Sequence, residues 1–124
     1  LSRDNCQFVC EKNPDGLDVD TLNGEPFLAI NGVQTMSHTY CNLIGDLSAL
    51  LDLGIGRFRL SPHSGDMARV AKAFRAVLES RMAPEEANTI ITEETGSMPI
   101  SNGYFHGRTG ATFEGIPADQ TEAR

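Results

Sequence analysis

Two cysteines stand close together near the start of the sequence, Cys6 and Cys10, and a third, Cys41, lies alone. A thiolate pair at this separation in an irregular segment can converge on one soft metal centre. The C-x₃-C spacing is less common for zinc than C-x₂-C, and no second close pair completes a four-thiolate set. Spacing alone therefore leaves two readings open: metal ligands, or small buried apolar residues. An odd number of cysteines cannot all pair within one molecule. The first ten residues carry charges and two cysteines where a secretory leader would be apolar. The thiols are thus expected to be reduced, metal-binding or buried rather than disulfide-bonded.

A second group of chemistry-bearing residues is neutral and polar. Residues 31–38 hold Asn31, Gln34, Thr35 and Ser37 directly after a short apolar run, and Arg59 and Ser61 flank the end of another. If each run is a barrel strand, these residues stand at its carboxyl end, where such folds place their sites. Neutral hydrogen-bonding groups there suit an uncharged aromatic ligand, although Gln34 and Thr35 could equally satisfy a loop. Ser61, His63 and Ser64 precede a helix, a place that can hold an anion but that capping by Ser64 also explains. No G-x-S-x-G elbow or H-E-x-x-H zinc helix is present, and His38, His63 and His106 occur singly. No catalytic nucleophile is assigned.

The elements that must position these residues follow from the apolar spacing. Residues 1–24 are rich in turn signals, Asn13-Pro14-Asp15-Gly16 and Asn23-Gly24, and leave little room for long regular structure. Residues 27–30 read as a fully buried strand, and 34–40 as a polar connection. Leu43, Ile44, Leu47, Leu50 and Leu51 form one helical stripe, with Gly54 placed to end it. Residues 57–60 predict a second strand stopped by Pro62, and 66–80 an amphipathic helix bearing Met67, Val70, Phe74, Val77 and Leu78, ended by Pro84. Residues 85–95 read as a short helix or strand, and 107–124 as Gly-, Thr- and acid-rich and mobile. Strand, helix, strand, helix is the order of parallel βαβ units. A (β/α)₈ barrel takes roughly 250 residues, so 124 residues would supply about its last half.

Composition bounds the partners. The formal charge of −7, with no basic cluster, speaks against a nucleic-acid or anionic membrane surface. No apolar run approaches the ~20 residues of a membrane span. The chain opens on Leu1 rather than Met, which is the expectation for a fragment.

The run CQFVCEKNPDGLDV, followed by FLAINGVQTMS and NLIGDLSALLDLGIGRFRLSPHSGDM, resembles the C-terminal region of UbiV-type proteins of the collagenase-like peptidase family. The residues carrying the resemblance are Cys6 and Cys10, Asn31, Gly32, Gln34, Thr35 and Ser37, then Arg59, Leu60, Ser61 and Pro62, and late in the chain Asn102, Gly103, Tyr104 and Phe105. The resemblance implies a cytoplasmic protein holding a 4Fe–4S cluster on four cysteines. Cys6 and Cys10 would match the last two ligands, the others lying upstream. It further implies a heterodimer with a UbiU-like partner and oxygen-independent ring hydroxylation of a lipid-quinone precursor in ubiquinone synthesis. Cys41 falls where other members of the wider family have a ligand, and is a candidate third thiolate or a small helix residue beside the cluster. The alternatives are a peptidase of unknown substrate and a non-catalytic zinc-thiolate interaction domain.

The sequence thus predicts an α/β chain: the C-terminal portion of a (β/α)₈ TIM-like barrel with a cysteine-bearing N-terminal loop. Its segments are 1–24 (the loop), 25–83 (βαβα units) and 84–124 (a C-terminal extension). Open strand edges would make such a fragment self-associate.

Overall fold

A computed structural model of the chain describes residues 5–96 and 98–116. The fold is mixed α/β, with three α-helices and two small sheets among the described residues. The chain divides into two compact units, Leu1–His38 and Thr39–Arg124.

The first unit is an antiparallel meander. A 3₁₀ turn, Val9–Lys12, leads into strands β1 (Leu17–Asp20), β2 (Pro26–Asn31) and β3 (Gln34–Ser37), in the order β1-β2-β3. Asn31 pairs with Gln34, so Gly32 and Val33 form a two-residue hairpin loop. Gly32 sits at φ 60, the left-handed conformation such tight turns favour. Register brings Leu17 opposite Ile30 and Val19 opposite Leu28, which places these four on one face. Ala29 and Met36 pair on the other face.

Residues 1–24 hold only short elements among the described residues, a 3₁₀ turn and the four-residue β1. The structure corrects two expectations. Residues 34–37, read as a connection, form β3, because polar Gln34, Thr35 and Ser37 sit without penalty on an exposed edge strand. Residues 27–30 do lie in a strand, but its neighbours are antiparallel and only Ala29 is buried. The apolar run reflects β-propensity in a thin sheet rather than burial on both faces.

The second unit is built on a parallel pair. Strand β4 (Tyr40–Cys41) runs beside β5 (Ile100–Ser101), and all three helices lie between them in sequence. A 3₁₀ turn, Ile44–Asp46, runs into α1 (Leu47–Asp52), followed by α2 (Met67–Leu78) and α3 (Pro84–Thr95). Ile44, Leu47, Val70, Ala73, Ala87 and Ile91 form the core, and Phe58, Leu60 and Phe74 pack against it half-buried. Arg69 on α2 donates to Glu93 and Glu94 on α3 at 2.7 Å each, clamping the two helices.

The expected 43–51 helix is divided between the 3₁₀ turn and α1. It ends as read, with Gly54 at φ 90. Asp66, not Ser64, caps α2, its carboxylate accepting from Arg69 N at 3.1 Å. Pro84 opens α3 rather than merely ending α2, since a first-turn residue needs no amide hydrogen. Residues 57–60 keep strand alternation, Phe58 and Leu60 half-buried and Arg57 and Arg59 exposed, yet they join no sheet among the described residues. An apolar–polar alternation marks a half-buried extended segment; it does not supply a hydrogen-bonding neighbour. No closed barrel is present among the described residues. No described helix is long and apolar enough to cross a membrane. Residues 107–116 form turns and irregular chain; the remainder of the segment expected to be mobile lies outside the described residues.

Ile91→Ala should lower the unfolding free energy by about 2–5 kcal/mol through loss of buried volume, and Asp66→Ala by about 1 kcal/mol through loss of the cap. Phe74→Ala should fall below the ~3–5 kcal/mol of a fully buried ring. Urea midpoints followed by far-UV circular dichroism measure all three.

Candidate functional site

The sequence-predicted residues fall into three places. Cys6 and Cys10 lie in the first unit, on the segment before β1, both free and exposed. Phe8 between them adopts φ 54, a left-handed conformation that reverses the chain, and its backbone amide donates to Cys6 Sγ at 3.4 Å. Cys10 sits in the 3₁₀ turn, whose last amide bond runs from Asn13 N to Cys10 O at 3.1 Å. The segment thus holds its thiols outward, in chain that is bonded only locally.

Asn31, Gln34, Thr35 and Ser37 come together on the β2–β3 hairpin. Asn31 Nδ2 donates to Pro14 O at 3.1 Å, tying the hairpin to the preceding turn. Gln34, Thr35 and Ser37 are exposed along β3. Arg59 and Ser61 are exposed in the second unit, on the extended segment between α1 and α2.

The third place is at the carboxyl ends of β4 and β5, and most of its residues were not singled out from the sequence. Thr39 and Ser101 hydroxyls share a buried hydrogen bond of 2.7 Å across the strand pair. Asn42 follows β4: its amide nitrogen donates to Asn88 Oδ1 at 2.8 Å on α3, while its oxygen accepts from Ile44 N at 3.0 Å. Asn102 follows β5: its oxygen accepts from Glu114 N at 2.7 Å and its nitrogen donates to Gly115 O at 3.2 Å. These two asparagines staple the chain on leaving each strand.

Asp46 and His106 meet above this frame. His106 Nε2–H donates to Asp46 Oδ1 at 2.9 Å; Asp46 is 3% exposed and the imidazole 28%. Burial pushes the Asp46 carboxyl up from its ordinary range, and the neighbouring His106 charge and hydrogen bond pull it partly back. Asp46 Oδ2 is buried with no hydrogen-bond partner among the described residues. Cys41, the last residue of β4, feels the same carboxylate: partial burial raises its thiol pKa and the Asp46 charge adds to the shift. Both effects disfavour the thiolate of Cys41, which is itself free and exposed. Among the described residues, no group of three or more His, Cys, Asp or Glu side chains is arranged to hold a metal ion.

His106 had been read as one of three scattered histidines. Two signals bordered the site: Asp46 interrupts an apolar stripe, and the run Asn102-Gly103-Tyr104-Phe105 leads directly into His106. Nothing local in the sequence names its partner.

The Asp46 shift has a definite sign. A carboxyl whose pKa is raised by folding supports stability fully below the unfolded value near ~3.9, and that contribution is lost as pH rises through the folded value. Wild-type stability should therefore fall, relative to Asp46→Asn, as pH rises from about 4 toward neutrality. Paired urea titrations across that window measure it; parallel curves would mean that burial does not perturb Asp46. No family model matches the chain, and no solved structure matches it.

Proposed function

We propose that the chain is the ligand-donating C-terminal part of a 4Fe–4S protein, with Cys6 and Cys10 supplying two of four thiolates. The observation that carries the reading is the pair itself: two free, exposed thiols on a locally bonded segment, separated by a left-handed Phe8. A cluster needs soft donors that can be drawn into its geometry, and these two are accessible and held by little else. Two thiolates are half the set, so the donors fit the group in kind and are completed by cysteines outside residues 1–124. When bound, the cluster supplies either electron transfer or a structural clamp.

The wider reading follows the sequence resemblance. The chain acts with a UbiU-like partner in the cytoplasm, supporting oxygen-independent hydroxylation of a lipid-quinone precursor. In this reading the parallel β4–β5 pair, with helices between its strands, belongs to a TIM-like barrel. Residues 57–60 become a barrel strand once a neighbour is supplied. Asn31, Gln34, Thr35, Ser37, Arg59 and Ser61 remain candidates for contact with the substrate.

In the protein carrying the full ligand set, purified without oxygen, Cys6→Ala or Cys10→Ala should remove most of the iron, whereas Cys41→Ala should leave it. Equal iron in all three variants sinks the assignment, and a colourless protein containing zinc favours an interaction domain. Cells growing anaerobically on the Cys6→Ala protein should accumulate an under-hydroxylated quinone precursor while aerobic synthesis continues. Loss of a proteolytic activity with unchanged quinone would replace this reading with the peptidase one.

A further inference from the structure

We propose that Asp46 and His106 form a proton-transfer dyad at the carboxyl ends of β4 and β5, with His106 Nδ1 as the base for an aromatic hydroxyl compound. A carboxylate accepting from Nε2–H fixes the imidazole tautomer and leaves Nδ1 as an acceptor, the division of labour by which a buried Asp orients a catalytic His. Nδ1 has no hydrogen-bond partner among the described residues, and the ring is 28% exposed, so the acceptor can be reached.

Two further observations separate this pair from a packing contact. Asp46 is 3% exposed, yet it leaves Oδ2 buried and unpartnered. Buried polar atoms without a partner are rare in folded proteins and call for a cause, a catalytic role among them. The turn bearing His106 is also held from behind. His106 N and Arg108 N both donate to Gly103 O, at 3.0 and 2.8 Å, and Gly103 N donates to Thr112 O at 2.9 Å. A side chain at Gly103 would collide with Thr109 O and Thr112 Oγ1, so the turn closes only on glycine. A base gains from such fixing, because proton transfer needs a positioned acceptor.

The ligand class comes from the neighbours. Phe105 packs edge-on to the imidazole with ring centroids 5.2 Å apart, and Tyr104 and Phe105 are 89% and 38% exposed. Exposed aromatic faces beside a base suit a flat ring carrying a hydroxyl. The step is a proton transfer alone. The ligand O–H bond breaks, an N–H bond forms at Nδ1, the imidazolium is balanced by the Asp46 carboxylate, and the proton returns on release. Asp46 acts on the ligand only through His106 and is a positioning residue. The choice of a phenolic ligand rests on the function proposed above; the dyad itself does not.

The test is imidazole ¹⁵N NMR on the whole chain at about pH 8, where an ordinary imidazole is neutral. His106 should show the Nε2–H tautomer. Added p-cresol should shift its Nδ1 resonance, whereas 4-methylanisole, the same ring without the proton, should not. Asp46→Asn should scramble the tautomer and weaken the p-cresol response about tenfold or more. An Nδ1–H tautomer in the wild type, or no Nδ1 response to p-cresol, makes the pair a structural contact and overturns the proposal. Both wild-type readings decide the matter even if Asp46→Asn does not fold. A responding dyad, with no iron in the protein that carries the full ligand set, would leave this inference standing while the cluster reading falls; iron in that protein beside an unresponsive His106 would do the reverse.

Discussion

The close approach of α2 and α3 is the constraint on which the second unit depends. Ala73 on α2 and Ala87 on α3 are buried in the shared core, Ala87 to 0% exposure, and at neither position does a side chain longer than a methyl hold the helices apart. Small residues let Val70 and Ile91 reach Ile44 and Leu47, and the apolar cluster closes. The Arg69 bonds to Glu93 and Glu94 lie at the rim of this seam and are substantially exposed at Arg69 and Glu93. Exposed ion pairs contribute little, so the arginine sets alignment more than stability. The seam also positions the polar frame: Asn88, on α3, meets Asn42 after β4. If the helices slide, the carboxyl end of the strand pair loses one of its two staples.

The first unit has no comparable core. Its described residues bury one apolar side chain, Ala29, and its order comes from ladder bonds, the Gly32 turn and the Asn31 bond to Pro14 O. Leu17, Val19, Leu28 and Ile30 share a sheet face on which three of the four are exposed. Three strands with an apolar face are near the lower limit of independent stability. The 3₁₀ turn and the chain around Cys6 are tied down less still.

Legibility in the sequence divided along the same line. α2 was plain from its spacing, because a long stripe of apolar residues at period 3.6 has few competing explanations. α3 was ambiguous: Ala87, Ile91 and Thr95 carry its buried face, and alanine and threonine give a weak apolar signal. The 27–30 run was correctly extended but wrongly partnered, since a short apolar run is compatible with either sheet type. Asn31-Gly32 followed by an alternating polar run held the hairpin signal, and reading it as a loop missed β3. The thiol pair was visible as spacing; its exposure was not. The Asp46–His106 pair was invisible because a contact between residues far apart in sequence has no local signature, and both residue types are common on surfaces.

The two proposed sites would demand opposite things of the chain, and each would stand on the unit suited to it. Thiolates that bind a cluster need reach: the metal organises its ligands, and binding energy becomes folding energy in a segment that was loosely held. Cys6 and Cys10 lie on such a segment, with only neighbouring backbone to satisfy. A proton-transfer base needs the reverse, an acceptor already at its final angle before the ligand arrives. His106 has that from Asp46 on one side and from the Gly103 turn behind it, with Asn102 anchoring the turn to residues 114 and 115. An orphaned Asp46 Oδ2 would be a liability in a site meant to flex, because opening would admit water and dissipate the oriented charge. In a rigid one Oδ1 keeps its bond to His106 Nε2–H, and the charge that balances the imidazolium stays in place when Nδ1 takes the hydroxyl proton.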